Sequence, residues 1–192
     1  MRPAWHRFLL LGLLVAGLEE FITQGVLKEK LGGWIVPTLL AFAPFLLVFL
    51  GLRRMLCSTL SEAQAAIIYY FAAGFTGLLF EWVVMGLCPW KDPQLLQIPF
   101  QIGMFSFWGT VALAPCILLE ARPELSRVRR FCFWLLLIGF VLIYVSAFTL
   151  PRRDRFAAVL GAVLLTFILM NGVYLAYFRV LRQQKCSSPG SP

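Results

Sequence analysis

The sequence predicts an all-α integral membrane protein, a polytopic bundle of six transmembrane helices. Of its 192 residues, 60% are hydrophobic and 14% charged, where soluble domains carry about a quarter charged. The apolar residues, 18 Phe and 6 Trp among them, are gathered into six runs. A spanning helix needs about 20 such residues to cross roughly 30 Å of hydrocarbon, and all six runs are long enough. One compact bundle is expected, with no room for a second domain.

The first span runs from Phe8 to Leu27 and is interrupted by Glu19-Glu20. Arg2, His6 and Arg7 ahead of an apolar core could open a signal peptide, but no small-x-small cleavage site follows Leu18, so an uncleaved helix is expected. The second span, Leu31 to Leu52, contains no charge, and the third, Ala63 to about Cys88, contains Glu81. Phe100 to Leu119, Phe131 to Leu150 and Phe156 to Phe178 make the fourth, fifth and sixth. These spans place the transmembrane domain at residues 1–182. Gln183 to Pro192, rich in Ser and Pro, is predicted to be a disordered cytoplasmic tail.

The net charge of +8 is not spread along a solvated face. It sits in clusters between apolar runs: Arg53-Arg54, Arg127 with Arg129-Arg130, Arg152-Arg153 with Arg155, and Arg179 with Arg182 and Lys185. That is juxtamembrane charge, and it excludes a nucleic-acid partner, which needs a continuous basic surface. More Lys and Arg lie on the N-terminus, the even loops and the C-terminus than on the odd loops, which predicts a cell-membrane protein with both termini cytoplasmic. Arg152, Arg153 and Arg155 then lie outside, where they can snorkel to headgroups or pair with acids in the outer half of the bundle.

The five cysteines have no paired spacing, so neither a disulfide framework nor a zinc site is expected. The single histidine, His6, precedes the first span, which argues against a His-based metal site or a Ser-His triad. No phosphate-cradling glycine loop is present, and no cofactor is expected.

Helices one and three share a pattern 61 residues apart, Glu20-Phe21-x-x-x-Gly25-Val26 against Glu81-Trp82-x-x-x-Gly86-Leu87. Helices two and four share Ala41-x-Ala43-Pro44-x-Leu46-Leu47 against Ala112-x-Ala114-Pro115-x-Ile117-Leu118. A two-fold parallel repeat of hairpins would produce both, as in some transporters. Pro44 and Pro115 are read as kinks. The extra length between the copies falls at Pro89 to Pro93.

Acids at membrane depth cost at least about 2.5 kcal/mol each near a helix centre, so Glu19, Glu20 and Glu81 are the candidate site. Glu20 and Gln24 share one helical face, and Glu19 and Thr23 the neighbouring stripe. Gly74, Gly77 and Glu81 share a face of the third helix, which small residues allow to meet another helix closely. Tyr70 lies a turn below Gly74, and Gln101 and Tyr144 project from other helices. The expectation is a polar pocket in the outer half, with Glu20 and Glu81 catalytic and Glu19, Gln24, Gln101, Tyr70 and Tyr144 binding. Trp82, Trp90 and Trp108 are read as interfacial or packing residues.

The stretch Glu19-Glu20-Phe21-Ile22-Thr23-Gln24-Gly25-Val26-Leu27 resembles the first motif of the intramembrane CAAX-type proteases, Glu-Glu-x-x-x-Arg followed by Gly and an apolar pair. The match covers these nine residues. Gln24 stands where that motif has Arg, and the histidines such proteases carry on later helices are absent. The resemblance therefore implies a catalytically altered relative.

Three functions suit these residues. The first is acid–base chemistry on a lipid or isoprenoid, begun by protonating an alkene. The second is a small proton- or cation-coupled transporter, which at this size would act as a homo-oligomer. The third is a non-catalytic membrane scaffold or assembly factor.

Overall fold

The computed structural model describes residues 5–28, 32–84, 86 and 97–187. The predicted insertion at Pro89 to Pro93, Trp90 within it, and residues 188–192 of the predicted tail lie outside these. Six helices long and apolar enough to cross a membrane follow one another, and the described residues contain no strand. They are α1 (Trp5–Glu20, continued as a π-helix over Phe21–Val26), α2 (Ile35–Thr59), α3 (Glu62–Val83), α4 (Gln97–Leu118), α5 (Ser126–Thr149) and α6 (Arg152–Ser187). The chain is a multi-pass membrane protein.

Helix ends differ from the sequence expectation, each for a local reason. α2 starts at Ile35 rather than Leu31, with Thr38 Oγ1 donating to the Trp34 carbonyl at 2.6 Å. It then runs past Leu52 to Thr59, because Arg53 and Arg54 do not stop a helix whose buried Leu56 still packs. The two arginines belong to the helix and not to a loop. The next helix begins at once: Ser61 and Gln64 form a capping box, which satisfies backbone N–H groups at the start of α3. α3 ends at Val83, short of Cys88. Gly86 follows at φ +71°, a left-handed conformation that favours glycine and ends helices. α6 continues as helix to Ser187, beyond Gln183 where the tail was predicted to begin.

Successive helices pair as hairpins, α1 with α2, α3 with α4 and α5 with α6, and α4 also touches α1 and α6. α4 is the central helix: 72% of its spanning window is buried, against 28% to 44% in the other five. Glycines set the closest approach. A Cβ on Gly74 or Gly77 would collide with the Phe105 or Trp108 ring of α4, and one on Gly109 with the Tyr70 ring of α3. The small-residue face of α3 therefore does meet another helix, as the spacing predicts. Outward, α5 presents Phe131, Trp134, Ile138, Val141 and Val145 as one apolar stripe, which suits a lipid environment.

The two predicted hairpin repeats occupy unlike places. α4 is enclosed while α2 is peripheral. Gly25 lies buried inside the π-helix, whereas Gly86 is exposed beyond its helix end.

Two ends can be distinguished. The end where α1 begins and α6 finishes, called the terminal end, also carries the α2–α3 and α4–α5 connections. The opposite, far end carries the α1–α2, α3–α4 and α5–α6 connections.

Candidate functional site

The carboxyl site lies at the far end. α1 brings Glu19 and Glu20 there and then widens: the Leu27 N–H bonds the Ile22 carbonyl at 2.9 Å, five residues back instead of four. Such π-turns inside α-helices are frequent at functional sites. Glu19 is buried at 8% exposure, and Glu20 is half-buried. The Thr23 hydroxyl donates to the Glu19 carbonyl at 3.2 Å, and Gln24 faces the Glu20 carboxyl.

α3 supplies Glu81 from its last turn. The sequence places Glu81 well inside a longer span; the earlier helix end sets it in the last turn of α3, and an acid near the end of a spanning helix costs less than one at its centre. Its Oε1 accepts from Trp108 Nε1 of α4 at 3.3 Å, and next to it Trp82 Nε1 donates to Gln101 Oε1 at 2.7 Å. Trp108 is held by rings, stacked on Phe42 at 4.6 Å and edge-on to Phe45 at 4.8 Å. Its indole N–H is thereby aimed at the carboxyl.

The acids of the two helices are close enough to sense one another's charge. Glu19 interacts electrostatically with Glu20 and Glu81, Glu20 also with Glu81, and Lys28 attracts all three. Three carboxyls share one ammonium. Lys28 went unnoticed as a site residue in the sequence because it reads there only as loop charge.

Two predicted site residues lie elsewhere. Tyr70 is eleven residues before Glu81, about 16 Å along the helix at 1.5 Å per residue. Its hydroxyl donates to Asn171 Oδ1 on α6, and Asn171 Nδ2 donates to Ser106 Oγ on α4 at 2.9 Å. Tyr174 donates to Thr110 Oγ1 at 2.7 Å, completing a buried polar ladder among α3, α4 and α6. Asn171 was legible as a lone amide in an apolar helix, yet nothing in the sequence named its partners.

Tyr144 lines a groove of about 400 Å³ between α1, α2 and α5, with Leu13, Gly17, Phe21, Trp34 and Thr38. It stacks on Phe21 at 6.1 Å, and Phe21 meets Trp34 edge-on at 5.5 Å. Of the lining residues, Phe21 is the nearest in sequence to the carboxyls, directly after Glu20. Its volume lies within the ~300–1,000 Å³ usual for small-molecule sites.

No family model matches the chain, and neither a curated protein nor a solved structure matches it.

Proposed function

We propose that the chain carries out acid–base chemistry on an apolar membrane substrate, a lipid or isoprenoid, at the far end of the bundle. The observation that carries this reading is the electrostatic interaction of Glu19 and Glu20 of α1 with Glu81 of α3 and with Lys28, together with an apolar groove that α1 lines from Leu13 to Phe21. General acid–base work needs one carboxyl protonated and one ionised, and three carboxyls around one ammonium can divide protons in that way. A substrate chain lying along Leu13, Gly17 and Phe21 would bring an alkene to the carboxyls. Glu81, held by Trp108, and Glu20 then act as the acid and base pair. The acid gives its proton to one alkene carbon; the base removes a proton from the carbon next to the cation. The double bond moves and the protons balance, with no metal or nucleotide consumed. The distribution of Lys and Arg supports a cell-membrane setting with the terminal end cytoplasmic.

A scaffold reading has its own support. Among the described residues no fully buried side-chain nitrogen or oxygen lacks a hydrogen-bond partner, which is what a purely structural bundle needs. One experiment separates the two readings. Wild type, Glu20→Gln and Glu81→Gln are purified in detergent, copurifying lipids are compared by mass spectrometry, and each protein is melted. Acid–base chemistry predicts a lipid or isoprenoid altered or lost in both variants with melting within about 2 °C of wild type, since replacements that keep the shape cost little. Melts several degrees lower with unchanged bound lipids would establish the scaffold and end the enzyme reading.

A further inference from the structure

The terminal end holds a second cavity, of about 580 Å³, lined by Arg53, Arg54, Tyr69, Glu120, Arg122 and Tyr177 among others. Its charges are unevenly matched. Arg122 takes both acids of the lining: Nη1 reaches Glu62 at 2.6 Å and Nη2 reaches Glu120 at 2.9 Å. Arg129 donates to the Glu120 backbone carbonyl. Arg53, half-buried near the end of α2, makes no ion pair with a carboxylate among the described residues. Its guanidinium interacts electrostatically with Cys116, Tyr177, Tyr69 and Cys57, and with Glu120, whose carboxylate Arg122 already holds.

Tyr177 adds a second unmatched group. Its ring is 3% exposed, yet its hydroxyl has no hydrogen-bond partner among the described residues. No fully buried side-chain oxygen there lacks a partner, so this hydroxyl opens onto the cavity. A half-buried guanidinium that no carboxylate hydrogen-bonds keeps its donors available to another anion. The planar fork of Arg binds phosphate oxygens through two parallel hydrogen bonds, and a phenol can give a third.

From these groups we propose that the cavity is a phosphate-binding site, with Arg53 as the anchor and Tyr177 as a further donor. The shared chemistry is an anionic phosphate group with at least two free terminal oxygens, which a lipid headgroup or free phosphate can supply. The cavity is far larger than one phosphate and lies at the level of the α2 and α4 ends, where headgroups sit. It is separate from the carboxyl site and stands whether or not those acids react.

The test is thermal melting of the full chain in detergent, titrated with inorganic phosphate in one series and short-chain phosphatidic acid in another. Short-chain phosphatidylcholine is the reference for nonspecific lipid effects. We expect a saturable rise in melting temperature for wild type. Response to phosphatidic acid alone identifies a headgroup site, and response to inorganic phosphate as well identifies a site for the free anion. Arg53→Gln should weaken the apparent affinity at least about tenfold, the loss expected for a charged hydrogen bond. Tyr177→Phe should weaken it a few-fold, and Arg127→Gln, an exposed charge outside the cavity lining, should leave it unchanged. Absence of any saturable response in wild type overturns the proposal. So does an equal loss in Arg127→Gln and Arg53→Gln, which means general charge attraction. If Arg53→Gln does not fold, an undiminished response in Tyr177→Phe overturns it as well.

Discussion

The two ends of the bundle handle charge in opposite ways. At the terminal end, one arginine clamps two acids from two connections: Arg122 binds Glu62 at the start of α3 and Glu120 just after α4. At the far end, three carboxyls from two helices share Lys28. The first arrangement closes on itself and reads as a fastening between connections; the second sets three carboxyls against one ammonium. The terminal end has its own surplus in Arg53, set apart from the clamp. Charge alone does not mark a functional place in this protein. Both proposed sites lie where charge lacks a matching partner.

The comparison breaks most severely at the glycine that seats Trp108. A Cβ on Gly77 would lie inside the Trp108 ring, so Gly77→Ala must push the indole away from Glu81. Overpacking of this kind costs roughly 1–3 kcal/mol, and the upper part of that range is expected here because the obstacle is a ring packed on three sides. Thermal melting should show the loss, and tryptophan fluorescence should shift as Trp108 leaves Phe42 and Phe45. Arg53 and Tyr177 at the terminal end should be untouched, so phosphate-dependent stabilisation should survive in this variant.

A smaller effect sharpens the other side. Burial pushes the Glu120 carboxyl up, but the hydrogen bond and charge of Arg122 outweigh it and hold the group below its ordinary 4.5. A depressed carboxyl stabilises the fold at neutral pH, and that contribution disappears as pH falls below 4.5 through the folded value. Solvent screening of this partly exposed pair keeps it under about 1 kcal/mol. Melting compared at about pH 6 and about pH 3 should therefore fall less in Glu120→Gln than in wild type. An identical fall would mean that the clamp contributes nothing to pH-dependent stability.

Much of this architecture was legible in the sequence, because six apolar runs of spanning length leave few alternatives. The ends of the runs were harder. Arg53 and Arg54 look like the start of a loop, yet α2 carries them inside the helix for most of two further turns. Gly86 looks like the counterpart of Gly25, yet one ends a helix while the other lies inside one. The acids stood out since charge in an apolar run is conspicuous. Spacing along one helix gave their faces but not which neighbour they meet or at what depth. That is why Tyr70 and Tyr144 were grouped with the glutamates, although the fold sends one to Asn171 and the other to the groove. Lys28 and Arg53 were hidden for a different reason: near the ends of spans, a basic residue reads as topology before it reads as chemistry.

The account depends most on the carboxyls of α1 and α3 forming one coupled site. A double-mutant cycle measures that directly: the stabilities of wild type, Glu20→Gln, Glu81→Gln and the double variant at neutral pH. Neighbouring charges in one network couple by roughly 0.5–3 kcal/mol. The predicted result is a coupling of at least about 0.5 kcal/mol, the second substitution relieving less repulsion once the first is made. Additive effects would show that Glu20 and Glu81 do not sense each other, and the shared site would be contradicted.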